Sequence, residues 1–263
     1  MLDIVKYLKS QINTSPSIGI VIGSGLNQLC DKLENKIVIQ YAEIPSFIST
    51  TVDGHAGEFV IGNLPNSMHS IIFANGRFHY YEGIGYEKTH ILIDIFSELG
   101  CSHIITTNSS GCLQPEWKPG DLMIIDAHLD ATFRESSDQP KTISGDAYYS
   151  QYMINVATSS MEKLNITPRI GTYGWTLGPT YETPAEIEML RELNVSAVGM
   201  STVPEIVRTH ELGLKLLSLA CLTNYAVGIS EVPLSHDEVV TQAKQSSLLF
   251  TNLIMDILTS IEL

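Results

Sequence analysis

An arginine and a histidine two residues apart are the first side chains in the sequence with a clear chemical use. Arg77 and His79 lie in the segment GRFHYYEG, and in extended backbone such side chains point to the same face. A guanidinium beside an imidazole suits a phosphate dianion. Alternatively, both are structural, with the arginine paired to a carboxylate and the histidine satisfied in the core. The pair alone leaves both interpretations open.

Small polar residues in glycine-containing segments could bind the same anion. Ser24 in GSGL, Ser109 in TNSSG and Ser201 in GMST carry hydroxyl donors, and their loops carry backbone amides. His55, in GHAG, has glycines close on both sides and could join them or cap a turn. GSGL is neither a P-loop nor a dinucleotide fingerprint, because no Gly-Lys-Ser/Thr follows it and Gln28 occupies the third glycine position. Ordinary turn chemistry also explains these residues.

An aromatic ring beside a carboxylate, with an amide later in the chain, could bind a flat heterocycle. Tyr181 and Glu182 lie in GPTYETPAE, and Asn224 ends LACLTN. The ring can stack on a heterocycle, the carboxylate can accept from a ring N–H, and the amide can both donate and accept. This combination suits a 6-oxopurine. Alternatively, Glu182 only favours the positive end of a helix, and His236 in PLSHDEV is an exposed histidine near a helix start.

Alternating strands and helices are predicted to position these residues. The predicted strands are 17–23, 69–76, 102–111, 121–127, 169–175, 195–200 and 214–224, and the predicted helices are 3–13, 86–99, 146–164, 184–193, 204–212 and 236–262. Thr183 and Glu186 fit a capping box at the fourth helix. The pattern predicts one α/β domain over 1–263, with a mixed, largely parallel sheet flanked by helices. Ligands bind beyond the carboxyl ends of such strands, so the polar strand ends should form one rim.

Composition narrows the class of protein. Fifteen Lys and Arg against 29 Asp and Glu give a formal charge of −14, which disfavours nucleic acid as a partner. The four cysteines are scattered and no residues show metal-ligand spacing, so free thiols and no metal are expected. No apolar stretch approaches the roughly 20 residues that a bilayer requires, and the amino terminus does not look like a signal peptide. A cytoplasmic protein is expected. A charged fraction of 17% hints at surface buried in an oligomer.

Taken together, these segments resemble the purine nucleoside phosphorylase family of the smaller, trimeric type. The likeness runs collinearly through GSGL, GHAG, GRFHYYEG, TNSSG, PGDLMII, GPTYETPAE, VGMSTVPE, TNYAVG and LSHDEV. GHAG with GRFHYYEG, and GPTYETPAE with VGMSTVPE, are highly specific to that family. The likeness therefore covers nearly the whole chain.

The resemblance implies a role for each matching residue. The catalytic residues would be Asn224, Glu182 and His79. The phosphate would be bound by Ser24, His55, Arg77, His79, the amide of Ser109, and Ser201. The nucleoside would be bound by Tyr81 and Met200 at the ribose, Tyr181 on the purine face, Glu182 and Asn224 at the purine edge, and His236 at the 5′-hydroxyl.

Three departures from the family pattern fall near the expected site. TNSSG stands where the family usually has TNAAG, and Asp130 of AHLD stands where an Asn is usual. The segment 132–146, predicted to be a surface loop, is shorter than is typical. In relatives this loop lends an aromatic to the neighbouring subunit's ribose pocket, and here Phe133 is the only candidate.

The activity that the resemblance implies is phosphorolysis of inosine and guanosine, as ribo- or deoxyribonucleosides, to the free base and (deoxy)ribose 1-phosphate in purine salvage. Phosphate would be a co-substrate, with no cofactor and no metal, in a homotrimer. Relatives that cleave methylthioadenosine carry Asp in place of Asn224, so the amide favours 6-oxopurines. The alternatives are a phosphorylase preferring xanthosine or methylthioadenosine, a weakly active nucleoside-binding homologue, and a hydrolase that uses water.

Overall fold

The computed structural model describes residues 1–23, 25–48, 56–65, 69–230 and 236–262, and gives the backbone alone for residues 236–245. The strands are β1 Ile18–Val21, β2 Glu34–Gln40, β3 Glu58–Asn63, β4 Ser70–Asn75, β5 His103–Cys112, β6 Leu122–Asp130, β7 Ile143–Ser144, β8 Arg169–Trp175, β9 Val195–Gly199 and β10 Lys215–Tyr225. The helices are α1 Leu2–Gln11, α2 Tyr86–Thr89, α3 Ile91–Leu99, α4 Gln151–Lys163, α5 Pro184–Glu192, α6 Val203–Glu211 and α7 His236–Ser260.

Over these residues the strands form one mixed sheet, flanked by helices, which confirms the predicted α/β fold. The strand order is β10-β6-β8-β9-β5-β1-β4-β3-β2. An additional pairing of β10 with β5 closes β10, β6, β8, β9 and β5 into a circuit. β1 and β4 are buried along their whole length, as expected of parallel strands that are covered on both faces.

The topology brings several strand ends to one edge of the sheet. Parallel pairing joins β4 to β1, β1 to β5 and β5 to β10, so the carboxyl ends of these four strands lie together. β9 runs antiparallel to β5, with Gly111 opposite Val198. The residues that follow β9 therefore turn back alongside Ser109 and Ser110. This convergence is the rim that the polar strand ends predict.

Local sequence signals explain most of the helix boundaries. Thr183 and Glu186 form the predicted capping box, and Pro184 is the first residue of α5. The helix predicted over 146–164 begins only at Gln151, where the side chain of Ser150 caps it. The helix predicted over 86–99 is two helices, because His90 leaves helical backbone (φ −115°) between α2 and α3. Because the apolar periodicity continues across that break, the sequence pattern does not predict it.

The antiparallel edge formed by β2 and β3 was not predicted. β2 has the sequence ENKIVIQ and is mostly exposed, so it lacks the apolar run that identified the buried strands. The surface loop predicted over 132–146 also contains the short strand β7, whose two residues are exposed. All four cysteines are free and buried, as predicted. Among the described residues, none of the helices combines the length and apolarity needed to cross a membrane.

Candidate active site

A cavity of about 170 Å³ lies where the ends of β5, β9 and β10 meet the segments 77–81 and 181–182. It brings together most of the residues that the sequence singled out, namely Arg77, His79, Tyr81, Ser109, Tyr181, Glu182, Met200, Ser201 and Asn224. Arg77 and Ser201 thus share one cavity with Asn224. Ser24 and His55 lie outside the described residues, as does the side chain of His236, so their roles stay predictions.

The cavity has two sides with different chemistry. We call Arg77, His79, Ser109 and Ser201 the anion side, because their groups suit an oxyanion. We call Tyr81, Tyr181, Glu182, Met200 and Asn224 the nucleoside side, because they offer rings, an acceptor and an amide.

On the anion side, Arg77 is bound to a carboxylate that the sequence reasoning missed. Its guanidinium donates to both oxygens of Glu205, at 3.1 and 2.6 Å, and to the carbonyl of Thr107 at 2.6 Å. Arg77 and Glu205 are 2% and 1% exposed. The alternative in which Arg77 is paired with a structural carboxylate is therefore correct. Arg77 nevertheless also lines the cavity. Phosphate binding by Arg77 stays a prediction.

The Arg77–Glu205 pair changes the electrostatics expected of the anion side. Because the pair is close to neutral as a unit, Arg77 brings little net positive charge to the cavity. Hydroxyls, amides and imidazole must then supply much of the attraction for an anion. The sequence carries one indication of this role for Glu205, which is an acidic residue in the first turn of α6, between Val203 and Ile206. Both of these neighbours are buried.

His79 is held by its neighbours in a largely buried position. Its backbone N–H donates to Glu82 Oε1 at 2.6 Å, and its ring Nδ1 lies 3.3 Å from the same oxygen. The ring stacks on Tyr81 at 4.8 Å between centroids. Burial lowers the pKa of His79 below its ordinary value of 6.5, although the hydrogen bond to Glu82 opposes that shift. At neutral pH His79 is therefore an uncharged hydrogen-bonding group.

A buried hydrogen-bond network ties the end of β5 to the start of α6. Asn108 Nδ2 donates to Thr202 Oγ1 at 3.0 Å, and Ser110 Oγ donates to Asn108 Oδ1 at 2.6 Å. The hydroxyls of Ser201 and Thr202 are 3.1 Å apart. Thr202 adopts φ +75°, a conformation that a β-branched residue holds only when its surroundings enforce it. Ser110, the second serine of TNSSG, thus orients Asn108.

On the nucleoside side, two threonines orient the carboxylate and the amide. Thr176 Oγ1 donates to Glu182 Oε1 at 2.6 Å. Thr223 Oγ1 donates to Asn224 Oδ1 at 3.0 Å, while Asn224 Nδ2 donates to the carbonyl of Tyr225 at 2.9 Å. These bonds fix which end of the Asn224 amide is the donor. The sequence reasoning missed both threonines, since a hydroxyl next to a functional residue is too common to identify.

The segment after β8 packs closely against the wall of the cavity. A Cβ atom on Gly178 would lie 2.4 Å from Met200 Sδ and 2.9 Å from a ring carbon of Tyr81, at a backbone φ of +70°. Only glycine allows both this conformation and this approach. Tyr181, further along the segment, is 44% exposed and stands at the mouth of the cavity.

The residues after β6 form a turn outside the cavity. Asp130 Oδ1 accepts hydrogen bonds from the backbone N–H of Thr132 at 2.9 Å and from its hydroxyl at 2.5 Å. Phe133 is 45% exposed and has φ +53°. Asp130 therefore builds the turn that presents Phe133. A role for Phe133 in a neighbouring subunit stays a prediction.

Within the described ranges, the structure gathers no three His, Cys, Asp or Glu side chains into a metal-binding arrangement. The cavity is lined by hydrogen-bonding groups and aromatic rings, together with the aliphatic side chains of Val198, Ala226 and Val227.

Comparisons of the sequence and of the structure with known proteins agree with one another. Residues 17–259 match the family model of the phosphorylase superfamily. Purine nucleoside phosphorylase 1 of Geobacillus stearothermophilus is 38% identical over 242 residues, covering 89% of this chain and 88% of that protein. Purine nucleoside phosphorylase 1 of Bacillus subtilis (strain 168) is 37% identical over 263 residues, covering 97% and 96%. The crystal structure of Schistosoma mansoni purine nucleoside phosphorylase in complex with inosine superposes with a TM-score of 0.86 at 28% identity, covering 99% and 95%.

Proposed function

Because the chain belongs to the purine nucleoside phosphorylases of the phosphorylase superfamily, we propose that it splits inosine and guanosine with inorganic phosphate. The ribo- and deoxyribonucleosides would give the free base and (deoxy)ribose 1-phosphate, a reaction of purine salvage. The observation that carries this proposal is the shared cavity, in which the anion side adjoins the carboxylate of Glu182 and the amide of Asn224.

The anion side would hold phosphate beneath the sugar. Cleavage of the glycosidic bond develops positive charge at C1′, and the charge of the bound phosphate stabilises it. Holding phosphate and C1′ together also replaces a bimolecular encounter. Ser201 and the amide of Ser109 would donate to the phosphate, with Arg77 behind them and Ser24 and His55 completing the site. Neutral His79, whose Nδ1–H faces Glu82, would accept through Nε2 from the hydroxyl of a hydrogen phosphate.

The nucleoside side would stabilise the departing purine. Glu182 Oε2, which has no hydrogen bond among the described residues, would accept from the purine N1–H. Asn224 Nδ2 has a second N–H beyond the one given to Tyr225, and this N–H would donate to N7 as charge accumulates on the base. Tyr181 would cover the base, Tyr81 and Met200 would contact the ribose, and His236 would reach the 5′-hydroxyl.

The base preference is tested by a phosphate-dependent assay across inosine, guanosine, xanthosine, adenosine and methylthioadenosine that measures the free base. We expect inosine and guanosine to be cleaved fastest. A clear preference for xanthosine or methylthioadenosine would contradict the 6-oxopurine assignment of Glu182 and Asn224. Binding of inosine and hypoxanthine without cleavage would show a nucleoside-binding homologue instead.

We also propose a cytoplasmic homotrimer that needs no cofactor or metal beyond phosphate. Phe133, exposed on its turn, would complete the ribose pocket of a neighbouring subunit. Light scattering on the purified protein should give three times the chain mass of 29.0 kDa. A monomeric mass with full activity would contradict this assembly. Loss of activity on dialysis against a chelator would contradict the proposal that no metal is needed.

A further inference from the structure

Arg134 lies in a cage of aromatic rings behind the nucleoside side of the cavity. Its guanidinium carbon is 4.0 Å from the ring centroid of Tyr86, 5.3 Å from that of Trp175 and 6.0 Å from that of Tyr80. The side chain is 15% exposed, and it does not line the cavity. No reactant bound there would touch it.

The rings, rather than carboxylates, account for the placement of Arg134. Its contact with Asp130 is long, at 3.4 Å, and the carboxylate of Glu135 that it meets at 2.7 Å is 75% exposed, so both pairs are weak. Its Nε is buried and has no hydrogen-bond partner in the described part of the chain. A guanidinium gives up such a bond when its flat faces stack on aromatic rings.

Two of the three rings of the cage, Tyr80 and Trp175, are next to a residue that shapes the nucleoside side. Tyr80 immediately precedes Tyr81. Trp175 immediately precedes Thr176, whose hydroxyl holds Glu182. The chain after Thr176 then packs through Gly178 against both Tyr81 and Met200. Arg134 thus clamps together the two segments, 80–86 and 175–182, that form this wall.

We infer that Arg134 is a positioning residue for the nucleoside side, acting through the Tyr80–Tyr86 segment and the Trp175–Glu182 segment. This inference rests on the proposed function. The anion side is held mainly by other contacts, the Arg77–Glu205 pair and the Asn108–Thr202 bond, although its His79 is bonded to Glu82 in the Tyr80–Tyr86 segment. Loss of the clamp should therefore weaken nucleoside binding and leave phosphate binding nearly unchanged.

The test compares Arg134→Ala and Arg134→Lys with Arg191→Ala. Arg191 pairs with Glu188 on the exposed face of α5 and controls for the loss of an arginine. All three are made in a Trp117→Phe background, so that Trp175, 1% exposed, is the only tryptophan left of two. Kinetics are measured with inosine and phosphate varied separately, and Trp175 emission and thermal unfolding are followed for each variant.

For Arg134→Ala we expect the KM for inosine to rise about tenfold, in the range of one lost cation–π contact in a desolvated cage. The KM for phosphate should change less than about twofold, and Trp175 emission should shift. Arg134→Lys keeps the charge without the flat group and should recover only part of the inosine KM. Arg191→Ala should match the background in every measurement.

Two failures are distinguishable. If the background protein cleaves no purine nucleoside, the proposed function fails and takes the positioning role with it. If the background cleaves inosine but Arg134→Ala keeps both KM values, or raises both equally, the positioning role alone is overturned. The KM values are compared only if thermal unfolding shows that Arg134→Ala is folded at the assay temperature. If Arg134→Ala is unfolded there, Arg134→Lys supplies the same comparison.

Discussion

The two sides of the cavity hold their polar groups in different ways. The anion side is supported by two buried pairs, Arg77 with Glu205 and Asn108 with Thr202, and each of these residues is no more than 3% exposed. On the nucleoside side, single hydrogen bonds from neighbouring threonines orient Glu182 and Asn224, and Tyr181 is 44% exposed. We therefore expect residues of the anion side to serve both folding and binding, and those of the nucleoside side to be replaceable without unfolding the protein.

The largest effect is expected from breaking the buried ion pair. Arg77→Ala leaves Glu205 buried and uncompensated, so the free energy of unfolding should fall by about 3–5 kcal/mol. Arg208→Ala, which removes a partly exposed arginine from Asp94 and Glu211, should cost no more than about 1 kcal/mol. Urea unfolding measures both.

A near-normal stability of Arg77→Ala would show that the anion side is not the rigid part of the cavity. Because Arg77 is bound to Glu205, we expect Arg77→Ala to lower the stability of the protein as well as to raise the KM for phosphate. A variant that loses the pair loses the support of the site with it.

The next largest effect is expected at the purine edge. Asn224→Ala removes the proposed donor to N7 and should lower kcat for inosine about a hundredfold or more, in line with other donors to developing charge. Because Asn224 is only half-buried, the free energy of unfolding of Asn224→Ala should change little. Asn155→Ala, on the exposed face of α4, is the matched control. Near-normal turnover by Asn224→Ala would remove this residue from the mechanism.

A smaller effect is expected from the threonine that orients Glu182. Thr176→Val keeps the shape of the side chain and removes its bond to Glu182 Oε1, which should raise the KM for inosine about tenfold. The KM for phosphate should not change. Thr158→Val, which removes a bond to a backbone carbonyl within α4, is the control. Equal changes in both KM values would mean that the two sides are not independent.

The smallest effect is expected in the pH dependence of stability. Because burial holds the pKa of His79 below 6.5, the unfolded chain binds a proton at a higher pH than the folded protein does. The stability contributed by neutral His79 is therefore complete above about pH 6.5 and is lost as the pH falls below that value. His79→Gln should show a shallower decline in unfolding free energy over that range. A parallel decline in the two proteins would show that His79 is not responsible.

The sequence predicted the frame of the cavity because the frame depends on local signals. Buried apolar runs located β1, β4 and β5, and the capping box located α5. The rim followed from a general rule about strand ends, and the resemblance assigned roles along it. The exposed strand β2 carries no such run and escaped prediction.

The partners inside the cavity could not be predicted because they are contacts between distant residues. Arg77 and Glu205 are separated by 128 positions, and Asn108 and Thr202 by 94. Nothing in the segment GRFHYYEG distinguishes an arginine that faces a ligand from one that is bound to a buried carboxylate. The cage brings Arg134 together with two distant segments, one containing Tyr80 and Tyr86 and the other containing Trp175. The sequence does not predict these contacts either.

The central claim is that phosphate on the anion side attacks a nucleoside held by the nucleoside side. Its most direct test is to incubate the protein with inosine, with and without phosphate, and to quantify hypoxanthine, ribose and ribose 1-phosphate. The account predicts hypoxanthine and ribose 1-phosphate in equal amounts with phosphate, and no cleavage without it. Hypoxanthine and free ribose formed in phosphate-free buffer would contradict it.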